Sequence, residues 1–154
     1  MQKRKHLIIS LTLIFLTVGF IWINSALSGT VSGMMSGRVK ELLSAVLDFL
    51  HFPENIKAFL LTYVRKVAHV TEYAVIGIEL GFLWAGLQKG FQGLWNAFST
   101  VLAIAVCDET IQLFALSRGP QITDVLLDTV SGTAGILIVY FAWIIVLCIR
   151  DSKK

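Results

Sequence analysis

The sequence predicts an all-α membrane protein: a bundle of four transmembrane helices, with one or two interfacial amphipathic helices between the first and second spans. Apolar residues make up 56% of the 154 residues and charged residues 15%, which is unlike a soluble domain. Four apolar segments reach or approach the roughly 20 residues that a helix needs to cross a bilayer. Basic residues concentrate toward the chain ends. We treat residues 1–154 as a single domain.

The predicted spans cover residues of about 7–23, 66–87, 94–115 and 122–149. Helices are favoured because a backbone in lipid must satisfy its own polar groups. The first span follows Lys3, Arg4 and Lys5, so a cleaved signal peptide is an alternative interpretation. We favour a retained helix, because this apolar stretch is longer than a typical signal core.

The linker at about residues 31–65 has an amphipathic pattern. Apolar residues recur at helical spacing between 39 and 50, with polar residues on the opposite face. A second such stretch, from 56 to 63, follows Pro53, where a helix can begin, and leads toward the second span. The pattern is typical of helices lying in the membrane interface. A packed lid on the bundle is an equally good interpretation.

The basic residues also predict an orientation in the plasma membrane. Both chain ends are basic, since Arg150, Lys153 and Lys154 match the basic amino end. With four spans both termini lie on one side, which we expect to be cytoplasmic, together with the Lys89 loop. The linker and the loop containing Arg118 then face outward. We interpret the basic residues as topology signals, with membrane lipids as neighbours and no nucleic acid as partner.

Charged and polar residues occur inside the spans. In the second span they fall within about 140° of the helix surface, and in the third within about 100°. The fourth span carries two acids one turn apart, and a basic residue lies in the loop before it. These residues are Lys66, His69, Glu72, Tyr73 and Glu79; Asp108, Glu109 and Gln112; Arg118; and Asp124 and Asp128.

Alternating helix directions place these groups, Glu79 excepted, at one end of the bundle. Several charged side chains are costly in a bilayer unless they face one another, an ion or water. Acids outnumber bases, which points to protonated carboxyls, a bound cation or a cationic ligand. Polar residues can also join helices, and Gly77 with Gly81 indicates close packing. We favour a functional role for these residues, because polar contacts that only join membrane helices ordinarily use uncharged side chains.

In a catalytic interpretation, His69 is the general acid or base and Glu72 orients it. Asp108, Glu109 and Asp124 are further acid–base groups or ligands of a divalent cation, the candidate cofactor. The predicted substrate-binding residues share the same zone. They are Lys66, Tyr73, Gln112, Arg118 and Asp128, with Arg118 suited to a phosphate or carboxylate.

The sequence resembles the VanZ-like family at these residues. The matching stretches are Lys66-Val-Ala-His69-Val-Thr-Glu72-Tyr73, Asp108-Glu109-Thr-Ile-Gln112, Arg118, and Asp124-Val-Leu-Leu-Asp128 followed by Gly132. Ala115-Leu116-Ser117 departs from the expected Pro-Gly type turn, and Asp128 is often an amide in relatives. The resemblance implies a bacterial cell-envelope membrane protein connected with glycopeptide (teicoplanin) resistance, without a settled activity.

Three functional hypotheses follow. The first is an envelope protein that binds or processes a lipid-linked cell-wall precursor or a glycopeptide, by hydrolysis or transfer if it is an enzyme. The second is a proton- or ion-coupled transport component, for which Glu79 would extend the polar groups inward. The third is a non-catalytic membrane interaction protein. The sequence contains no nucleotide-binding loop and no HExxH metal motif.

Overall fold

The computed structural model describes residues 2–88 and 90–152, except for the side chains at 2, 3 and 151. All regular secondary structure in these residues is helical. The helices are α1 (Gln2–Ala26), α2 (Gly29–Phe49), α3 (Glu54–Thr62), α4 (Val64–Leu87), α5 (Phe91–Gln112) and α6 (Ile122–Asp151). Of these, α1, α4, α5 and α6 are long and apolar enough to cross a membrane, which confirms the predicted all-α class with four candidate spans.

Some residues used in the orientation prediction lie outside the described part of the chain. They are Lys89, Lys153 and Lys154, together with the side chain of Lys3.

The helix bounds differ from the predicted spans at α1, which extends beyond the predicted 7–23 at both ends, and at α5. The third span was predicted to continue to Ala115, whereas α5 ends at Gln112. After it the chain makes tight turns, in which the N–H groups of Phe114 and Ala115 donate to carbonyls three residues earlier. Ser117 then adopts a left-handed conformation with φ 60°. This early ending gives the loop enough length to reach α1 and α2.

The four long helices bring the carboxyl ends of α1 and α5 to the same end of the bundle as the amino ends of α4 and α6. The Gly29 N–H donates to the Leu116 carbonyl at 2.9 Å, which ties the start of α2 to the loop after α5. We call this the polar end, because the charged residues of the spans gather here. α1 packs on α4 and α5 through a narrow stripe that buries Ile21 and Ser25. The retention of α1 stays a prediction.

Glycines allow α4 and α6 to pack closely, side by side and in the same direction. A Cβ atom added at Gly77 would collide with the Gly132 carbonyl, and one at Gly135 would collide with the Ala74 carbonyl. Gly132 also lies against Val101 of α5. Small residues are what bring helices together in lipid, where apolar surface alone provides little driving force. Gly77 therefore does lie at a close helix contact, as the sequence predicted, and this contact is between α4 and α6.

The linker forms two helices, joined by an ion pair between Lys57 and Asp48. The Asp48 carboxylate raises the pKa of Lys57 above its usual value. Pro53 precedes the first residue of α3, as its position in the sequence suggested. The apolar side of α2 is largely uncovered, since Leu42 is 70% exposed. Leu47 of the same helix is nevertheless buried, so the packed lid and the placement in the membrane interface both stay predictions.

We predict that Gly77→Ala lowers the free energy of unfolding by about 1–3 kcal/mol, because the added methyl group forces α4 away from α6. Unfolding of the purified protein in mixed detergent micelles measures this. Gly86→Ala is the matched control, since a Cβ there meets nothing within 4 Å. Equal effects of the two substitutions would contradict the close-packing role of Gly77.

Candidate functional site

A cavity of about 520 Å³ opens at the polar end of the bundle. Its wall combines α2, the start of α4, the end of α5, the loop after α5 and the start of α6. The charged residues in the lining are Lys40, Arg65, Lys66, His69, Arg118, Asp124 and Asp128. A smaller cavity of about 210 Å³ shares Arg65, His69 and Arg118 and reaches Glu72. Ligand sites in proteins commonly have volumes of about 300–1,000 Å³, so the larger cavity has the size of a binding site.

Three side chains from three helices converge at the floor of the larger cavity. Ligand atoms of His69 (α4), Asp108 (α5) and Asp128 (α6) all lie within 4.8 Å of one another. Nδ1 of His69 is 3.5 Å from Oδ2 of Asp128. Both carboxylates have no exposed surface. His69 and Asp128 line the cavity, whereas Asp108 stands behind them.

Arg118 fastens the loop after α5 to the first two helices. Its Nη1 donates to the Ser25 carbonyl at 3.3 Å, and its Nη2 donates to the Ser32 hydroxyl at 2.6 Å. Burial, with a contribution from nearby Arg65, lowers the pKa of Arg118 from its usual value. Two of the guanidinium nitrogens are thus engaged in structural contacts. Arg118 therefore has fewer N–H donors available for a phosphate than the sequence suggested.

Three other cations line the cavity: Lys40, Arg65 and Lys66. Within the described residues, none of the three pairs with a carboxylate at 4.0 Å or less. Lys40 belongs to the polar side of α2 that also carries Gly33, whose missing side chain leaves room for the cavity. Sequence reasoning identified Lys66 but missed Lys40 and Arg65. The adjacent Arg65-Lys66 pair at the start of a span was the available signal.

Glu109 and Gln112 connect the end of α5 to the start of α6. The backbone N–H of Gln121 donates to Glu109 Oε2 at 2.9 Å, and Gln112 Nε2 donates to Glu109 Oε1 at 3.1 Å. Gln112 also donates to Asp108 Oδ2 at 3.2 Å. Both carboxylate oxygens of Glu109 are therefore occupied by structural donors, and Glu109 is not part of the lining of the larger cavity.

The remaining predicted residues occupy different surroundings. Asp124 lines the larger cavity one helical turn above Asp128, and Glu72 faces the smaller cavity. Tyr73, predicted to bind substrate, is fully buried in the apolar core and lines neither of the two cavities. Glu79 lies ten residues beyond His69, about 15 Å along α4.

Glu79 accepts a hydrogen bond from the Thr17 hydroxyl at 3.0 Å, which joins α4 to α1. Glu79 is far from His69, Asp108 and Asp128, so the structure gives little support to a continuous proton path through this chain.

The family comparison covers nearly the whole bundle. The family model described as VanZ/LLP1 matches residues 8–145, from the first turns of α1 to the last third of α6. The chain belongs to the VanZ/LLP1 family. The resemblance inferred from the sequence is therefore confirmed. No curated protein and no solved structure matches the chain. VanZ/LLP1 membership thus gives a family and a membrane protein, while the chemistry must be argued from the residues of this chain.

We predict that Glu109→Ala lowers the free energy of unfolding by about 1 kcal/mol, because the Gln121 N–H loses its acceptor. Glu109→Gln keeps one acceptor oxygen and should cost less. Denaturant unfolding of both variants tests this. If Glu109 instead takes part in ligand chemistry, Glu109→Gln will abolish function in a protein as stable as the wild type.

Proposed function

We propose that the chain binds a lipid-linked molecule of the cell envelope through an anionic group, a phosphate or a carboxylate, in the cavity at the polar end. One observation carries the proposal: Lys40, Arg65 and Lys66 line the cavity without carboxylate partners among the described residues. Unpaired cations around a concave site attract anions and hold them through charge-assisted hydrogen bonds.

The size and position of the cavity support a head group as the bound part. A volume of about 520 Å³ accommodates a phosphate with an attached group, and the hydrocarbon chain would stay in the surrounding lipid. The uncovered apolar side of α2 supports the same arrangement. Its Val39 and Val46 are half exposed, while Ser36 and Lys40 of the same helix line the cavity. We propose that α2 lies at the membrane interface, with lipid on one side and the head group on the other.

The groups beneath the cations suit a reaction as well as binding. His69 and Asp128 line the floor, so a phosphate held by Arg65 and Lys66 would lie above an acid–base pair. Hydrolysis or transfer at a phosphate or glycosyl bond is the reaction class that these side chains serve best. Binding is the primary proposal, and turnover is its extension.

The connection with teicoplanin belongs to the family and comes to this chain as a proposal. A protein that holds a lipid-linked wall precursor would change how much of that precursor a glycopeptide can reach. Expression of the wild-type chain should therefore lower the susceptibility of cells to teicoplanin, and expression of Arg65→Gln or Lys66→Gln should lower it less.

We predict that the purified protein in nanodiscs binds a fluorescent polyprenyl phosphate more tightly than the uncharged polyprenol of the same length. Arg65→Gln and Lys66→Gln should each weaken phosphate binding by about fivefold, since a basic residue near an anionic group contributes about 1 kcal/mol. Lys57→Gln is the matched control, because Lys57 is paired with Asp48 outside the cavity. Equal binding of phosphate and alcohol would refute the proposal.

A second variant tests the cavity without changing charge. An added Cβ at Gly37 meets nothing within 4 Å, and Gly37 lines the cavity, so Gly37→Leu should fill it and reduce binding. Gly19→Leu is its control, because Gly19 has equal free space on α1. Equal loss in both variants would place the ligand elsewhere.

We further propose that the cavity faces the outside of the cell, with both termini in the cytoplasm. The basic residues at both ends support this orientation. In a Cys107→Ala, Cys148→Ala background, a membrane-impermeant maleimide should label Gly119→Cys in intact cells and Ser152→Cys after lysis alone. The reverse pattern would show the opposite orientation.

A further inference from the structure

The floor of the cavity holds two carboxylates that the protein leaves without adequate partners. Asp108 and Asp128 are both 0% exposed. Neither oxygen of Asp128 has a hydrogen-bond partner among the described residues, and neither does Oδ1 of Asp108. Nδ1 of His69, 3.5 Å from Oδ2 of Asp128, also forms no hydrogen bond. Burying charged or ionisable atoms without partners is costly, and these four differ from the other unpartnered buried atoms of the described residues because they come from three helices and meet at one point, which favours a shared ligand there.

We propose that His69, Asp108 and Asp128 bind one divalent metal ion. The three residues come from α4, α5 and α6, and each offers a ligand atom within 4.8 Å of the others. An ion bound with metal–ligand distances of about 2.0–2.2 Å separates tetrahedral ligand atoms by about 3.4 Å. The His69–Asp128 pair at 3.5 Å has this spacing, and the remaining ligand must move inward by up to about 1.4 Å.

Charge balance is also compatible with an ion. Two ionised carboxylates at fully buried positions carry two negative charges, while His69 supplies at most one positive charge. The Gln112 amide reaches one oxygen of Asp108, which still leaves three carboxylate oxygens without donors. A divalent cation neutralises both acids and coordinates the orphaned oxygens and the imidazole nitrogen together.

The donor set favours a transition metal. One imidazole nitrogen with two carboxylate oxygens suits Zn²⁺ or Mn²⁺, whereas Mg²⁺ and Ca²⁺ prefer oxygen ligands alone. Three protein ligands leave a coordination position open, as in catalytic metal sites. Since His69 and Asp128 line the cavity, that position faces the space where the proposed anionic group would lie.

The metal site goes beyond the proposed function, because it stands on buried atoms that bind no lipid. Its role as a second contact for a phosphate does rest on that function. With an ion bound, His69 is a ligand and not the general base that the sequence suggested, so the metal site replaces the acid–base extension of the proposed function and leaves its binding part intact. Asp124 is one turn away on α6 and remains outside the set of three.

The test is metal binding by the chelator-treated full-length protein in detergent, measured by isothermal titration with Zn²⁺, Mn²⁺, Mg²⁺ and Ca²⁺ in turn. We expect one ion per chain, with Zn²⁺ or Mn²⁺ bound more tightly than Mg²⁺ or Ca²⁺. Asp128→Asn and His69→Gln should weaken binding by more than about 100-fold, since even substitutions behind a metal ligand cost about 10–100-fold. Glu79→Gln is the matched control, because it removes a membrane-embedded acid outside the site.

Two outcomes would overturn the assignment: wild-type protein that takes up no ion with a stoichiometry near one, or variants that bind as tightly as wild type. If the variants fail to fold, pulsed electron paramagnetic resonance of Mn²⁺ on the wild type decides, because one bound imidazole gives nitrogen coupling and its absence refutes the site. Polyprenyl phosphate binding, measured with and without the added metal, separates the two proposals. A protein that takes up one ion but binds polyprenyl phosphate in neither state refutes the proposed function alone, and a protein that binds polyprenyl phosphate but takes up no ion refutes the metal site alone.

Discussion

The contact between α4 and α6 is the constraint on which the rest of the structure depends. Gly77 and Gly135 let each helix lie against the backbone of the other, and no larger side chain fits at these two points. The contact fixes both the separation of the helices and their register. His69, two turns before Gly77, and Asp128, one turn before Gly132, therefore face each other at the polar end. An added methyl group at either glycine would push the two helices apart, and His69 and Asp128 would then separate as well as the backbones.

The polar groups at this end divide into those that maintain the fold and those left available. Glu109 and Arg118 use hydrogen bonds to hold the loop after α5 against its neighbours. The short α5 makes this loop necessary, and the loop in turn forms one wall of the cavity. Once these structural contacts are assigned, the available groups are the unpaired cations of the lining and the buried cluster beneath them.

The fold could be predicted because its signals are local. An apolar stretch of about 20 residues predicts a membrane span wherever it occurs in a sequence. All four candidate spans were therefore predicted from the sequence. Alternating helix direction then predicted that charged residues distant in sequence would gather at one end. His69, Asp108 and Asp128 do lie together in the structure.

What the sequence could not provide is the direction in which each side chain points. An arc of about 100° contains both Asp108, which joins the cluster, and Glu109, which turns toward the start of α6. Lys40 was recognised only as part of the polar side of an amphipathic helix, because periodicity does not reveal what a polar side faces. Ser25 and Ser32 gave no signal at all, since they matter through a carbonyl and a hydroxyl that meet Arg118 across long chain separations.

The order of charges in the cavity limits what can bind there. Lys40, Arg65 and Lys66 line the wall, whereas Asp128 and Asp108 lie fully buried at and behind the floor. If the cations neutralised the acids directly, the structure would contain ion pairs between the two sets, and among the described residues it does not. We therefore propose a partner for each set, a cation for the buried acids and an anion for the exposed cations of the wall. A metal ion with a phosphate oxygen in its open position would satisfy both, because attraction between the two ligands adds to their attraction for the protein.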